Sequence, residues 1–357
     1  MEFEKYKRLE SIRVIVDEIL LKMNDAEERR CAYTHLYGVS QFATMLALKR
    51  GLNPEIAAIS SMFHDVYLYT TGVKEYHDQN GAELLRPIIK GLGIFSKEEL
   101  RIILSAIFHH SDKRNVHSIY DELLKDADIL QHYLYNVDKK IQADITFRLE
   151  RILKELNLPP AFEVAEDNVE EKIYNYGNKR ALLADIAEIY ASKGIVGIPA
   201  DFEYQEICHH WPGDNTCKEL KNGWCAAFVY FCCRIAGFLL PIRYPNGMCR
   251  FAGVGAWQEW AQLPEIQFFH DQIENSFTPE RGDIVIYEKL ITTNSHDHIG
   301  VILSCTKDSI LVAEGNVDNL NQSGIVQRNR WDKIAGYIRI DNNYRYSFSG
   351  EYDPQLD

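Results

Sequence analysis

The sequence predicts two domains, an all-helical bundle followed by a mixed α+β domain. The 357 residues exceed what one hydrophobic core usually serves. From Lys5 to Leu156 apolar residues recur at intervals of three and four, which is the spacing of amphipathic helices. After Lys179 helical stretches give way to short apolar runs rich in β-branched residues, which are typical of strands.

The domain boundaries follow from a break in the helical pattern. Asn157-Leu158-Pro159-Pro160 ends the last helix of the bundle, because proline has no amide hydrogen and disfavours helical geometry in its predecessor. The acidic stretch Glu163 to Glu171 comes next. We therefore place the helical domain at 1–157, a linker at 158–178, the mixed domain at 179–343 and a loose polar tail at 344–357.

Local patterns predict individual elements of the mixed domain. A helix is expected from Lys179 to Lys193, and a buried helix between Gly223 and Gly237. Strands are expected at 283–287, 298–303 and 310–313.

Composition and charge exclude several functions. The net charge of -13 argues against a nucleic-acid scaffold, since a surface that repels phosphate has no counterions to release. No secretory signal follows Met1, and no apolar run approaches the roughly 20 residues that span a bilayer. The eight cysteines lack the spacing of a disulfide framework, so reduced thiols are expected. We therefore expect a cytoplasmic chain that binds neither nucleic acid nor membrane.

The helical domain carries a set of potential metal ligands, namely His35, His64, Asp65 and Asp128. They lie in apolar segments, where burial of imidazole and carboxylate groups is unfavourable unless something binds them. Ligands on separate helices can converge on a metal inside a bundle. The set therefore predicts a divalent metal site.

The order of these ligands resembles the motif of the HD-domain superfamily of metal-dependent phosphohydrolases, with His35 first, then the doublet His64-Asp65, then Asp128. The resemblance covers residues 25 to 135. The pattern of histidines and aspartates is similar to that of the branch that includes the symmetrical diadenosine tetraphosphate hydrolases. It implies one or two divalent transition metals. The first metal would be bound by His35, His64, Asp65 and Asp128, with Asp65 bridging and taking part in catalysis, and the second by His77, His109 and His110.

The resemblance also implies a reaction. Two metals would clamp a phosphate and activate a water for attack on phosphorus, which indicates hydrolysis of a small phosphate ester or anhydride such as a nucleotide. Imidazole and carboxylate suit iron, manganese, cobalt, nickel and zinc alike. Asp126 is the weaker candidate for the last aspartate, and Lys113 and Arg114 could reach a substrate phosphate, although a basic pair after a helix is more often solvated.

The mixed domain carries a candidate nucleophile, Cys225. The segment from Asn222 to Tyr230 predicts a turn followed by an apolar helix, which puts Cys225 in the first turn, where free amides and the helix dipole favour its thiolate. His298 begins an apolar strand and is the candidate base, while His296 fits the strand pattern less well. Glu314 and Asn316 follow the next strand, and either could orient the imidazole.

The order Cys225, His298, Glu314 and Asn316 resembles the CHAP family of amidohydrolases and peptidases, related to the papain-like NlpC/P60 enzymes. The match spans residues 180 to 340, and its most recognisable segments are 224–229, 282–285 and 314–316. It implies a papain-like fold with an antiparallel sheet. It also implies that Cys225 attacks a carbonyl carbon, His298 transfers the proton, and Glu314 or Asn316 positions the ring. Family members usually cleave amide bonds in peptidoglycan, so a peptide or peptidoglycan-like substrate is implied.

Other cysteines and histidines have less specific interpretations. Cys232 and Cys233 are predicted to be structural thiols of the same helix as Cys225. Four residues have the types of zinc ligands, but their spacing matches no common zinc motif: Cys208, His209, His210 and Cys217.

The leading hypothesis is a cytoplasmic bifunctional hydrolase. One alternative is that the helical domain binds a nucleotide without turnover and regulates the cysteine domain. Another is an exported wall hydrolase in which the helical domain is an accessory.

Overall fold

A computed structural model of the chain describes residues 2–136, 140–159, 162–164, 177–213, 216–220, 223–272 and 277–356, with most of the predicted linker, 158–178, outside these ranges. The chain divides into two compact units, which we call the helical unit (Met1–Lys172 with Glu351–Asp357) and the mixed unit (Ile173–Gly350). The predicted fold class, a helical bundle followed by an α+β domain with an antiparallel sheet, is confirmed.

The helical unit contains eight helices among its described residues. They are α1 (Glu2–Leu21), α2 (Ala26–Arg50), α3 (Pro54–Phe63), α4 (Val66–Thr71), α5 (His77–Leu92), α6 (Lys97–His109), α7 (Ile119–Tyr135) and α8 (Ala143–Glu155). The Asp25 carboxylate caps α2 by accepting hydrogen bonds from two first-turn amides. Ser96 and Glu99 form a capping box at the start of α6.

The core of the helical unit lies between α2, α3, α6 and α7. Its central side chains, such as Val39, Leu46, Leu124 and Leu130, are fully buried, and each contributes roughly 2 kcal/mol by leaving water. Helix α3 ends at Phe63 and α4 begins only three residues later, so the His64-Asp65 doublet occupies the junction between them. Both residues of the doublet are buried, since α3 packs against α2, α6 and α7.

The mixed unit contains five helices and six strands among its described residues. The helices are α9 (Lys179–Ser192), α10 (Phe202–Cys208), α11 (Thr216–Glu219), α12 (Cys225–Ile235) and α13 (Val254–Ala261), and a short 3-10 turn spans Val317–Asn319. The strands are β1 (Phe269–Asp271), β2 (Ile284–Tyr287), β3 (His298–Cys305), β4 (Ser309–Glu314), β5 (Gly324–Asn329) and β6 (Ile334–Ile338).

The six strands form one antiparallel sheet in the order β1-β6-β2-β3-β4-β5. The predicted helices at α9 and α12 and the predicted strands β2, β3 and β4 are confirmed. The sequence did not predict β1, β5, β6 or helices α10, α11 and α13.

Helix α12 packs against β3 and β4. At the end of β4, a Cβ on Gly315 would lie only 2.6 Å from Cβ of Phe228, one turn into α12. Only glycine permits this approach. Because β3 and β4 are antiparallel, the first residue of β3 and the last residue of β4 lie at the same end of the sheet.

The predicted loose tail is partly wrong. Within the helical unit, the ring of Tyr352 stacks on Phe108 with centroids 3.9 Å apart, and Leu356 is buried. The stacking of Tyr352 and the burial of Leu356 favour this ordered arrangement, since aromatic and leucine side chains gain free energy when they leave water. None of the helices that the structure describes combines the length and apolar character needed to cross a membrane.

Candidate active sites

Six of the seven predicted metal ligands lie together in the helical unit. The clustered residues come from five places in the chain: His35 on α2, His64 and Asp65 between α3 and α4, His77 at the start of α5, His110 just after α6, and Asp128 on α7. Their ligand atoms form overlapping groups that could hold metal ions. Helices distant in sequence thus deliver imidazole and carboxylate groups to one place.

Asp65 lies at the centre of this cluster, and its two carboxylate oxygens face different pairs of histidines. Oδ2 is 3.3 Å from Nε2 of His35 and 3.5 Å from Nε2 of His64. Oδ1 is 3.2 Å from Nε2 of both His77 and His110. Asp128 joins the first pair, with Oδ1 3.5 Å from Nε2 of His35. The arrangement has two neighbouring centres that share Asp65.

Hydrogen bonds at Nδ1 orient these histidines. His64, His77 and His110 each donate from Nδ1 to the carbonyl three residues earlier, at 2.6, 2.8 and 2.7 Å respectively. His35 makes the equivalent contact with Oε1 of Gln131 at 2.8 Å. Because Nδ1 carries the hydrogen in each ring, the lone pair of Nε2 points into the cluster, as in histidines that bind metals.

Each histidine pair attracts positive charge. Nε2 of His35 is 3.0 Å from Nε2 of His64, and the corresponding atoms of His77 and His110 are 3.2 Å apart. Two facing lone pairs repel unless a proton or a metal cation lies between them. Burial lowers the pKa of His64 to about 3. Burial also acts to lower the pKa of His77, but the hydrogen bond to Asp65, the charges of Asp65 and Asp78 and the hydrogen bond to the Lys74 carbonyl together raise it to about 9. The donor set therefore fits a divalent cation at each pair.

The structure does not bring His109 into the cluster. Its Nδ1 is 2.9 Å from Oδ2 of Asp121, and its ring stacks on His117 with centroids 3.9 Å apart. Successive residues on a helix point about 100° apart, so the two histidines of the 109–110 doublet face different ways.

The structure also separates Asp126 from Asp128. Asp126 is fully buried and bonds to three guanidinium groups, those of Arg50, Arg148 and Arg151. Lys113 does not project freely into solvent, because its Nζ lies 2.6 Å from Oδ2 of Asp128. Arg114 is exposed and pairs with Asp144.

Two residues of this site were missed by sequence reasoning. Nε2 of His132 lies 3.4 Å from Oδ1 of Asp128, and these two residues form a further ligand group with His35. The signal was available, because a residue four positions after Asp128 shares its helix face. Gln131, which bonds to His35, has room because Gly38 lies opposite, where a Cβ would come 3.0 Å from Cγ of Gln131.

The mixed unit places the predicted thiol, imidazole and carboxylate side by side. Cys225 begins α12, His298 begins β3 and Glu314 ends β4. Nε2 of His298 donates to Oε2 of Glu314 at 2.9 Å, while Nδ1 has no hydrogen-bond partner among the described residues. Burial would lower the pKa of His298, but the neighbouring Cys225 and Glu314 raise it to about 10. The imidazole is thus hydrogen-bonded to the carboxylate and is influenced electrostatically by the thiol.

Asn316 does not contact the imidazole. It adopts a left-handed backbone conformation with φ of 53°, and its Oδ1 accepts a hydrogen bond from the amide of Asn321 at 2.8 Å. Oδ1 of Asn321 in turn accepts from the indole of Trp224 at 3.2 Å. Asn316 therefore shapes the loop that supports the residue before Cys225. His296, the alternative base, lies beside Glu288 instead.

Two further cysteines of helix α12 have the properties of structural thiols. Cys232 and Cys233 are fully buried, and burial raises the pKa of both thiols, as expected for structural residues. Every group of described residues that could hold a metal lies in the helical unit. The possible zinc ligands around Cys208 and Cys217 form no such group.

Comparison with family models identifies two domains in the chain. A model of the HD domain matches residues 32–132, and a model of the CHAP domain matches residues 217–316. The chain therefore contains an HD domain, of the phosphohydrolase type that binds divalent metals, followed by a CHAP domain, of the amidase and peptidase type. Comparisons with curated proteins and with solved structures return no match.

Proposed function

We propose that this chain is a bifunctional hydrolase, with a two-metal phosphohydrolase in the HD domain and a cysteine amidohydrolase or peptidase in the CHAP domain. The observation that carries the first activity is the division of the Asp65 oxygens between two histidine pairs. The second activity is supported by the hydrogen bond of the His298 imidazole to Glu314 and by its electrostatic interaction with Cys225.

In the HD domain, the first metal would be held by His35, His64, Asp65 and Asp128, and the second by Asp65, His77 and His110. Two divalent metals bound here would polarise a phosphate and lower the pKa of a water toward neutrality. Asp65 would be a ligand of both metals. Gln131 fixes the ring of His35, and Lys113 fixes the Asp128 carboxylate.

Charge supports a small phosphate compound as the substrate. Two divalent cations carry more charge than the carboxylates of Asp65 and Asp128 neutralise, so the loaded centre is locally positive on a chain with a net charge of -13. Lys113 and His132 lie at its margin and add to this field when protonated. A phosphate ester or anhydride, such as a nucleotide, would be attracted while a nucleic-acid duplex would be repelled by the remaining surface.

In the CHAP domain, the Cys225 thiol gives its proton to Nδ1 of His298, and the thiolate attacks the carbonyl carbon of an amide. The imidazolium then protonates the departing amine, which leaves a thioester that water hydrolyses with His298 as the base. Glu314 holds the ring through Nε2. The amides of the first turn of α12, including that of Cys225, would stabilise the negative oxygen.

Elemental analysis of the protein, purified without chelator, tests the metal assignment directly. We expect about two transition-metal ions per chain and hydrolysis of at least one member of a panel of phosphate esters and dinucleoside polyphosphates. No metal after incubation with manganese, iron or zinc would contradict the phosphohydrolase. A nucleotide that raises the melting temperature of the loaded protein without being consumed would instead indicate a sensor.

The histidine doublet provides a matched pair of variants. His110→Asn should reduce the metal content from about two to about one ion per chain, because it removes a ligand of one centre only. His109→Asn should keep both metals but weaken the fold by about 1–3 kcal/mol, because it disturbs the buried contact with Asp121. Metal content and chemical denaturation measure the two effects. Equal loss of metal in both variants would make His109 a ligand.

A further inference from the structure

Arg328 binds both oxygens of the Glu314 carboxylate. Its Nε lies 3.1 Å from Oε1, and its Nη2 lies 2.6 Å from Oε2, the same oxygen that accepts from His298. Tyr287 completes the set by donating its hydroxyl to Oε1 at 3.0 Å. Glu314 is fully buried, and the side chain of Arg328 is 14% exposed. A bidentate contact of this kind is strong and geometrically specific.

The chain brings Arg328 to this position through the register of the sheet. On β5, Arg328 lies opposite Ile310 of β4. Ile310, Val312 and Glu314 share a face because side chains alternate along a strand. The guanidinium therefore extends along β4 to the carboxylate at its end.

The charges around the imidazole explain why a second cation is needed. The titratable and charged groups that surround His298 come from four elements: Cys225 from α12, Tyr287 from β2, Glu314 from β4 and Arg328 from β5. When the thiol has lost its proton, the site contains two anions, the thiolate and Glu314, but only one imidazolium. Arg328 supplies the missing positive charge. Its other partner, Asp318, is half exposed, so water screens that contact.

We propose that Arg328 is a positioning residue of the thiol site, which balances the charge of Glu314 so that the thiolate of Cys225 and the imidazolium of His298 can form together in a buried place. This inference rests on the proposed cysteine hydrolase activity. Without the guanidinium, the buried thiolate state would carry a net negative charge, and Cys225 would keep its proton to higher pH. A purely structural Arg328 would stabilise the sheet without this effect.

The test is the pH dependence of Cys225 alkylation by iodoacetamide in the full-length protein, read residue by residue by mass spectrometry. This readout needs no substrate, and the exposed Cys31 and Cys249 serve as internal references. Arg328→Met removes the charge, and Arg328→Lys keeps it. Arg328→Met combined with Glu314→Gln removes both charges of the pair and remains informative if the single variant does not fold. Arg330→Met is the control, since Arg330 bonds to backbone carbonyls of Thr306 and Phe277 instead.

In the wild type, Cys225 should be alkylated faster at neutral pH than the exposed references Cys31 and Cys249. Arg328→Met should shift the alkylation profile of Cys225 to higher pH, measured as about tenfold slower alkylation on the acid side. Arg328→Lys and Arg330→Met should stay close to the wild type, and the double variant should shift less than Arg328→Met because it also removes the uncompensated carboxylate. An unshifted profile in Arg328→Met, or a double variant shifted as far as Arg328→Met, would overturn the role of Arg328. An ordinary thiol profile in the wild type would instead contradict the hydrolase itself.

Discussion

Asp65→Asn is expected to reduce phosphate hydrolysis by about three orders of magnitude or more, equal to roughly 4 kcal/mol of lost transition-state stabilisation. Both oxygens of Asp65 face imidazole nitrogens, one on each side of the cluster. Asparagine has nearly the same shape but offers one oxygen, and its amide group repels a cation. One of the two centres therefore loses its shared ligand, and we expect the metal content to fall to one ion per chain or fewer. Initial rates and elemental analysis on the same preparation measure both effects.

The matched control for this variant is Asp144→Asn, which removes an exposed carboxylate that pairs with Arg114. It should leave both the metal content and the rate within about twofold of the wild type, because a surface ion pair contributes little. Alkylation of Cys225 should be unchanged in Asp65→Asn, which separates loss of the metal site from global unfolding. Full phosphatase activity in Asp65→Asn would contradict the two-metal assignment.

The sequence was sufficient to predict the ligand types of the helical unit but not every direction in which they point. Buried imidazole and carboxylate groups in apolar segments are costly without a partner, so His35, His64, Asp65 and Asp128 could be selected before the fold was seen. The choice between His109 and His110 depends on where α6 ends. His109 is the last residue of that helix, and His110 follows it. A rotation of about 100° between neighbours decides which imidazole reaches Asp65.

In the mixed unit, Arg328 was not predicted because it lies on β5, a strand that the sequence did not predict. Strand β5 contains no buried residue, since four of its residues are partly buried and two are exposed, and its sequence has no apolar run that would indicate a strand. In strand β6, Gly336 interrupts the apolar sequence pattern that would indicate a strand. A Cβ at this position would lie 2.5 Å from the carbonyl oxygen of His270. Sequence alone selected Cys225 and His298 from their chemistry and left Glu314 and Asn316 as alternative orienting residues. Arg328 became visible only through the pairing of β5 with β4.

Cys225→Ala is expected to abolish amide hydrolysis, with a loss of about four orders of magnitude or more, because the thiolate forms the covalent intermediate. Cleavage of a panel of peptides and peptidoglycan fragments, followed by mass spectrometry, measures the loss. The fast phase of labelling by an electrophilic thiol probe at neutral pH should be lost with it, which leaves the slower labelling of the exposed Cys31 and Cys249. Cys249→Ala removes an exposed thiol and serves as the control, which should retain full activity. Undiminished cleavage by Cys225→Ala would contradict the thiol mechanism.

The pH profile and two further variants test the orientation of His298 in this reaction. Its pKa is raised to about 10, so the imidazolium that protonates the leaving amine persists below that pH and is lost above it. We expect kcat/KM to fall above pH 10. Glu314→Gln should lower the rate by roughly 10²- to 10⁴-fold and should also lower the pH at which this decline occurs. Asn316→Gly tolerates the left-handed backbone and should cost less than about tenfold, because Asn316 contacts the loop and not the ring. Equal losses in these two variants would transfer the orienting role to Asn316.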